Sequence, residues 1–576
     1  MSRKLVGTPV SPGLCVGRAV VLRAIHADDV GRHIVEAEAE TEIARFKDAV
    51  QRACCELAEI QRETLARVGE HESAIFEAQL LMVQDPTIEE SVEDRIRHDL
   101  VSAEIACTMV CEENAKTLQA LEDQYLAARA QDIRDIGRRL VCCLTGGAMG
   151  IPGTGMPENP VIVADDLSPS DTAGLDATRV SAVVLDRGGA TSHTAILVRA
   201  LGIPAVMAVG AATKAIADGD VVVVDGDSGE VIVTPDDREC ADCQVRVEAI
   251  REEKRRLMLL CNLPSVTADG RRVQLAANIG GPNDTKMVKA AGAEGVGLFR
   301  TEFLFLDRTS APDENEQFEA YKQVLCEMDP RPVIVRTLDA GGDKFIPYLA
   351  MPNEANPFLG LRAVRLCLKE ERLFKTQLRA LLRASVYGNL KIMFPMVANV
   401  EDLRAAKFVL ESVKRELSCE GVEVQSDIPV GIMVEIPSAV VTADILAKEC
   451  DFFSIGTNDL VQYTMACDRG NPHVGYLNDP LSPAVLRLIA RTIQEGHNNQ
   501  MHVGMCGEMA GMPMAIPFLV GMGIDELSMA SSSLPKAKQI VRSLDSRNAS
   551  LIWERIKSMS TGGEIRSYLE GLPGMR

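Results

Sequence analysis

The sequence predicts a multidomain α/β protein: a small α/β domain with a helical bundle inserted into it, followed by a C-terminal TIM (β/α)8 barrel. Three observations predict this. The chain has 576 residues, beyond the size at which one hydrophobic core stops growing. Residues 34–145 are almost free of glycine and proline and carry apolar residues at helical spacing, while the segments on either side read as strands and turns. Residues 262–576 alternate apolar strand-like runs with helical segments, the pattern of repeated βα units.

Taken in order, residues 1–25 form short strands broken by Gly7, Pro9, Pro12 and Gly13, with a longer run at 16–22. Glu36, Glu38, Glu40 and Glu42 then open the helical stretch, and Ile43, Phe46, Val50, Leu57 and Ile60 mark its apolar spacing. Several helices in a hairpin bundle fit that pattern. Gly146, Gly147, Gly150, Pro152 and Gly153 punctuate a linker. Strands return up to residue 234, among them the β-branched runs 182–185 and 221–224. The first domain is therefore 1–25 plus 146–234, with 26–145 inserted as the bundle. Residues 235–261 are charged and helix-compatible, a rigid connector. In the barrel, 262–576, the strand-like runs are 273–277, 295–299, 333–337, 390–395, 430–434, 452–456 and 501–505, with an eighth expected near 358–364. A doubly wound open sheet is the competing architecture.

Composition bounds the function. Apolar residues at 46% and charged residues at 25% are those of an ordinary globular protein. No apolar run approaches the roughly 18 residues of a membrane span, and the N-terminus lacks a signal-peptide core. Sixteen cysteines are scattered without a disulfide framework, which predicts reduced thiols and a cytoplasmic location. Cys240 and Cys243 lie in a helix-like stretch with no second pair and are incidental. A net charge of −21 argues against nucleic acid and favours a basic protein partner.

Two regions carry candidate chemistry. Gly-Gly-Ala-Thr-Ser-His at 188–193 lies between the strand at 182–185 and a helix over 194–201, ended by Gly202. Paired glycines admit a bulky anion, a helix start attracts phosphate, and His193 can act there as a nitrogen nucleophile near neutral pH. The second region is the set of barrel strand ends, where working residues of this architecture sit. They deliver Arg300 with Thr301 and Glu302, Arg336 with Asp339, Glu435, Asn458 with Asp459, and Cys506 with Glu508, with Arg362 and Arg469 nearby. Arginines grip phosphate and carboxylate oxygens, Glu435 and Asp459 offer hard oxygens for Mg2+, and the Cys506 thiol can exchange a proton at carbon.

Long motifs then carry a resemblance. Gly-Gly-Ala-Thr-Ser-His (188–193), Gly-Leu-Phe-Arg-Thr-Glu-Phe-Leu-Phe (297–305), Arg-Thr-Leu-Asp-Ala-Gly-Gly-Asp-Lys (336–344) and Asn-Pro-Phe-Leu-Gly-Leu-Arg (356–362) are four of them. Gly-Ile-Met-Val-Glu-Ile-Pro (431–437), Phe-Phe-Ser-Ile-Gly-Thr-Asn-Asp-Leu-Val-Gln-Tyr (452–463) and Gly-Met-Cys-Gly-Glu-Met-Ala (504–510) complete the set. Together they resemble the phosphoenolpyruvate-utilising enzymes, and most closely the enzyme I branch of the phosphoenolpyruvate:sugar phosphotransferase system, over nearly the whole chain. The resemblance implies a swivelling phosphohistidine domain, a helical domain that binds the phosphocarrier HPr, and a barrel that binds phosphoenolpyruvate and forms a homodimer. Carried over by motif, His193 accepts the phosphoryl group and Cys506 donates a proton. Arg300, Arg336, Asn458, Asp459 and Arg469 bind phosphoenolpyruvate, Glu435 and Asp459 ligate Mg2+, and Thr172 and Arg362 support. Ala190 stands where many relatives carry arginine, and Gln79 stands close to where some carry histidine in the carrier-binding part around 75–81 and 134–139. The alternatives are a regulatory, nitrogen-type phosphorelay enzyme and an ATP-dependent dikinase of pyruvate. The first adds an N-terminal sensory domain and the second a nucleotide-binding domain, and this sequence shows neither, nor a Gly-x-x-x-x-Gly-Lys-Ser/Thr loop.

Overall fold

The computed structural model describes residues 2–22, 31–67, 76, 79–119, 130–145, 157, 159–167, 175, 179–189, 192–306, 308, 310–342, 346, 348–349, 354–471 and 473–572. The chain divides into two compact units, Met1–Glu252 and Glu253–Arg576.

In the first unit β1 (Arg3–Val6), β2 (Thr8–Ser11), β3 (Leu14–Leu22), β4 (Pro160–Ala164), β5 (Ala182–Leu185), β6 (Ala205–Met207), β7 (Val221–Asp225) and β8 (Glu230–Val233) form one sheet. Its order is β1-β8-β7-β3-β4-β5-β6-β2. The β3-β4-β5-β6 centre is parallel and the outer pairings are antiparallel. Both faces of the centre are covered, which is why β4 and β5 are apolar throughout rather than alternating. Period two sends Ile162 and Val183 into one apolar cluster and Val161 and Val184 into another.

Between β3 and β4 the chain makes α1 (Ala39–Arg67), α2 (Pro86–Asp99), α3 (Ala103–Gln119) and α4 (Ala130–Thr145). Their apolar stripes meet in a separate core containing Ile43, Phe46, Leu57, Val92, Ile96, Val110, Ile136 and Leu140. Asp85 starts α2 by accepting a hydrogen bond from the Thr87 N–H at 2.8 Å, with Pro86 at the first helical position. After β5 comes α5 (His193–Ala200), which packs Ala195 and Val198 against the sheet. The chain leaves β8 through α6 (Asp237–Leu260), inside which the division between the units falls.

The second unit closes eight parallel strands into a barrel: β9 (Gln274–Ile279), β10 (Val296–Arg300), β11 (Pro332–Arg336), β12 (Asn389–Phe394), β13 (Val430–Val434), β14 (Phe452–Ile455), β15 (His502–Met505) and β16 (Glu526–Met529). Closure of β16 on β9 rules out the open sheet. The expected multidomain α/β fold with a C-terminal TIM-like barrel is therefore present. The expected eighth strand at 358–364 is not a strand: Pro357–Leu359 is a 3-10 turn and Ala363–Lys369 is helical. The eighth strand is β16, whose Glu526 and Ser528 are buried polar residues that break the apolar run a sequence reading looks for. Gly297 makes room for them, since a Cβ there would lie 2.5 Å from Glu526 Oε1 and 2.6 Å from Ser528 Oγ. Leu298, Ile334, Met393, Met433, Phe452 and Cys506 fill the barrel interior.

Candidate active site

Strand periodicity places the site. Leu298, Ile334 and Met433 point into the barrel, so the residues two positions on, Arg300, Arg336 and Glu435, do the same at its C-terminal mouth. Cys506 joins them one residue past the end of β15. The register sets Arg300 beside Arg336 on neighbouring strands. These side chains line a cleft of about 280 Å3 with Glu302, Asp339, Asn458, Asp459, Arg469 and Glu508.

An alternating chain of charges organises the wall. Arg336 donates to Glu302 at 2.6 Å and pairs with Asp339 at 2.9 Å. Arg362 pairs with the same Asp339 at 3.0 Å and with Asp459 at 3.2 Å, and donates to the Tyr463 hydroxyl at 3.0 Å. Arg469 lies 3.9 Å from Asp459. Burial works against the charge on Arg336 and Arg362, but the adjoining carboxylates outweigh it and hold both pKa values above the ordinary arginine value. Arg362 is 1% exposed and stands behind the cleft wall, so its planar fork braces Asp339 against Asp459. Arg300 is half-buried and, among the described residues, has no ion-pair partner. Its guanidinium is therefore available to an anionic ligand.

The carboxylates are suited to a cation. Burial and the nearby charges of Asp459 and Asp339 push the Glu435 carboxyl up to about 8. A divalent ion would relieve that repulsion. Met396 N–H donates to Glu435 Oε1 at 2.6 Å, orienting the group, and the lack of a side chain at Gly456 leaves space beside Oε2 that a Cβ would enter at 2.8 Å. Among the described residues no group of three His, Cys, Asp or Glu forms a metal site. Two carboxylates, with the rest of the shell left to water and substrate oxygens, fit Mg2+.

Asn458 and Asp459 come from the start of α7 (Thr457–Met465), which follows β14 directly. Asn458 donates to Glu508 Oε1 at 3.1 Å and accepts from the Glu508 N–H at 3.0 Å, joining the ends of β14 and β15. Cys506 is 2% exposed, and burial pushes its thiol up to about 11 against the opposing pull of Ser454 and Arg336. It is a protonated group in the ground state. Its carbonyl accepts from Asn278 Nδ2 at 3.0 Å, and Asn278 in turn accepts from Ser528 at 2.7 Å. Sequence reasoning missed Asn278, Tyr463 and Ser454. Asn278 is the one with a usable signal, a lone amide near the end of an apolar strand.

All seven sequence-predicted barrel residues that were expected to touch substrate, metal or proton therefore meet in one cleft, with Arg362 behind it. In the first unit, Ser192 caps α5 by accepting from the Ala195 N–H at 3.2 Å, making His193 the first helical residue. Gly188 has φ +93°, a conformation glycine adopts without strain. Thr194 donates to the Leu167 carbonyl at 2.9 Å. Thr172, Ala190 and the His193 imidazole lie outside the described residues.

Comparison with known proteins agrees with this geometry. The PEP-binding domain of PEP-utilising enzymes matches residues 254–546, their N-terminal domain 6–129 and their mobile domain 156–229. The chain is 45% identical to the phosphoenolpyruvate-protein phosphotransferase of Staphylococcus carnosus, over 99% of both chains. It is 46% identical to the protein of that name from Bacillus subtilis, again over 99% of both. The Geobacillus stearothermophilus protein is 46% identical over 98% of this chain and 97% of its own.

Proposed function

The chain belongs to the phosphoenolpyruvate-utilising enzymes, as a phosphoenolpyruvate-protein phosphotransferase, and from that premise we propose that His193 carries the phosphoryl group to a histidine of an HPr-type phosphocarrier. The observation that carries the reading is the cleft of arginines, carboxylates and a buried thiol at the strand ends of a barrel. The same chain carries a Gly-Gly, Ser-capped helix that begins at a histidine.

In this reading Arg300, Arg336 and Arg469, with Asn458, hold the phosphate and carboxylate of phosphoenolpyruvate. Arg336 is fixed by Glu302 and Asp339 before substrate arrives, so its charge needs no reorganisation as the transition state forms. Mg2+, held by Glu435 and Asp459, would neutralise charge on the phosphate and the developing enolate. His193 attacks phosphorus in line, with the departing enolate stabilised by the arginines. Cys506 then gives its proton to the methylene carbon, which turns the enolate into pyruvate. The mobile domain, 1–25 plus 146–234, carries phosphohistidine to the carrier bound by the helices of 26–145, with 235–261 as the connecting helix. Residues 262–576 complete the scheme as substrate barrel and homodimer interface.

No helix among the described residues is long and apolar enough to cross a membrane, and all sixteen cysteines are free. The reading places the chain's work in the cytoplasm, at the first step of sugar uptake. The test is incubation of the full chain with labelled phosphoenolpyruvate and Mg2+, followed by HPr. We expect acid-labile label on the chain that chases to HPr, and no label on His193→Ala although it still binds phosphoenolpyruvate. Label on that variant would overturn the assignment.

A further inference from the structure

Ser454, in the barrel interior, is a polar group that the chemistry above leaves unused. Period two along β14 points it inward, between Phe452 below and Gly456 at the mouth. It is 2% exposed, and its Oγ is buried without a hydrogen bond of normal geometry, although it lies close enough to the Cys506 thiol to pull that thiol's pKa down. A hydroxyl in that state is costly to fold around and calls for an explanation. Its register partner on β15 is Gly504, two residues before Cys506. No side chain stands beside the hydroxyl on that strand, and the next inward group above it is the Cys506 thiol.

We propose that Ser454 is a positioning residue for proton transfer, holding a hydrogen bond in reserve for the Cys506 thiolate. The proposal rests on the reading of Cys506 as proton donor. In the resting state the thiol makes a long contact, 3.9 Å, to the Ile455 carbonyl oxygen. When enolpyruvate is protonated, the S–H bond breaks and a C–H bond forms at the methylene carbon. The enolate oxygen becomes a ketone, and the negative charge moves to sulfur. The Ile455 carbonyl then repels the sulfur it faced, because an oxygen acceptor has no proton to offer. The Ser454 O–H is a donor at that place, and rotation of one hydroxyl lets it replace the lost contact. Arg336 adds a nearby positive charge, and the thiolate regains its proton from water once pyruvate leaves. The Cys506 carbonyl is meanwhile fixed by Asn278, so the response belongs to the side chain rather than the backbone.

The experiment measures pyruvate formation in single turnovers for full-length Ser454→Ala, Ser454→Thr, Cys506→Ala and the Ser454→Ala/Cys506→Ala double variant, with thermal unfolding of each. Ser454→Ala should slow pyruvate formation about tenfold, the scale of a lost hydrogen bond to a charged group. Its affinity for phosphoenolpyruvate should stay unchanged and its Tm unchanged or higher, because a buried hydroxyl without a hydrogen bond of normal geometry has gone. Ser454→Thr should recover most of the rate. In the Cys506→Ala background, removal of the hydroxyl should cause no further loss, since the group it serves is absent. A wild-type rate for Ser454→Ala beside a slow Cys506→Ala would overturn the proposal. So would losses that multiply in the double variant, or a lowered Tm with the rate unrestored by threonine. A wild-type rate for Cys506→Ala would instead overturn the proton-donor reading beneath it.

Discussion

Arg362 shows how much of the site depends on a residue that does not line the cleft. Its guanidinium joins Asp339 to Asp459, and Asp339 in turn holds Arg336. Removing one partner of a buried ion pair leaves uncompensated charge, and Arg362→Ala is expected to destabilise the barrel by about 3–5 kcal/mol. Denaturant unfolding at neutral pH measures this. Arg362→Lys keeps the charge but not the planar fork, so it should retain more stability while still losing activity, because one ammonium cannot brace both carboxylates. Equal stability of Arg362→Ala and the parent would show that the bridge does not hold the wall. At this scale the sequence was legible where a charged residue ends an apolar run, as with Arg300, Arg336 and Glu435. It was silent on Ser454 and Tyr463, whose hydroxyls look like ordinary polar punctuation until the barrel turns them inward. Asn278 was missed for a different reason: the predicted strand stopped at 277, one residue short of it, while β9 runs to Ile279.

At the scale of elements, the site depends on how closely two strand ends approach. Gly507 follows Cys506, and a Cβ there would lie 1.9 Å from Thr457 Oγ1 and 2.5 Å from the Thr457 nitrogen. Thr457 begins α7, the helix that presents Asn458 and Asp459. Gly507 has φ −74°, so space rather than backbone strain requires glycine. Gly507→Ala should push the start of α7 away from β15 and disturb Asn458 and Asp459 together, at the roughly 1–3 kcal/mol of an overpacked core. We expect at least about a tenfold fall in kcat/KM for phosphoenolpyruvate, since 1.4 kcal/mol is a factor of ten. Gly475→Ala, where a Cβ meets only open space, is the control and should change neither activity nor Tm. If the two variants behave alike, packing at Gly507 does not position α7. The strands around this junction, β13, β14 and β15, were legible because each is a largely apolar run, followed by Glu435, Gly456 and Cys506 respectively. The eighth strand was not, because β16 buries polar Glu526 and Ser528 in the barrel interior, whereas 358–364 is apolar enough to mimic a strand.

Across the whole molecule, the residues of the proposed chemistry are divided between compact units. Every residue that lines the arginine cleft belongs to Glu253–Arg576, which has its own closed sheet and its own core. His193 and the bundle belong to Met1–Glu252, with separate cores for sheet and helices. The alternation of turn-rich and glycine-poor segments made two kinds of architecture visible in the sequence. The division falls inside α6, within the charged segment 235–261 expected as the connector, but its exact point between Glu252 and Glu253 has no mark of its own in that run of charged residues. Separation of the units therefore gives a test of the cycle as a whole. Residues 253–576 alone should bind phosphoenolpyruvate with Mg2+, seen by calorimetry, yet take no label from it. Residues 1–252 alone should accept a phosphoryl group from phosphorylated HPr, because transfer between two histidines is chemically reversible and needs only the nucleophile and its docking surface. That fragment should take none from phosphoenolpyruvate, whose binding groups it lacks. Mixing the fragments should restore labelling only weakly, since the tether that makes the encounter intramolecular has been cut. Rapid labelling of 1–252 by phosphoenolpyruvate alone would mean that the first unit holds a complete active site, and the barrel cleft would then need another role.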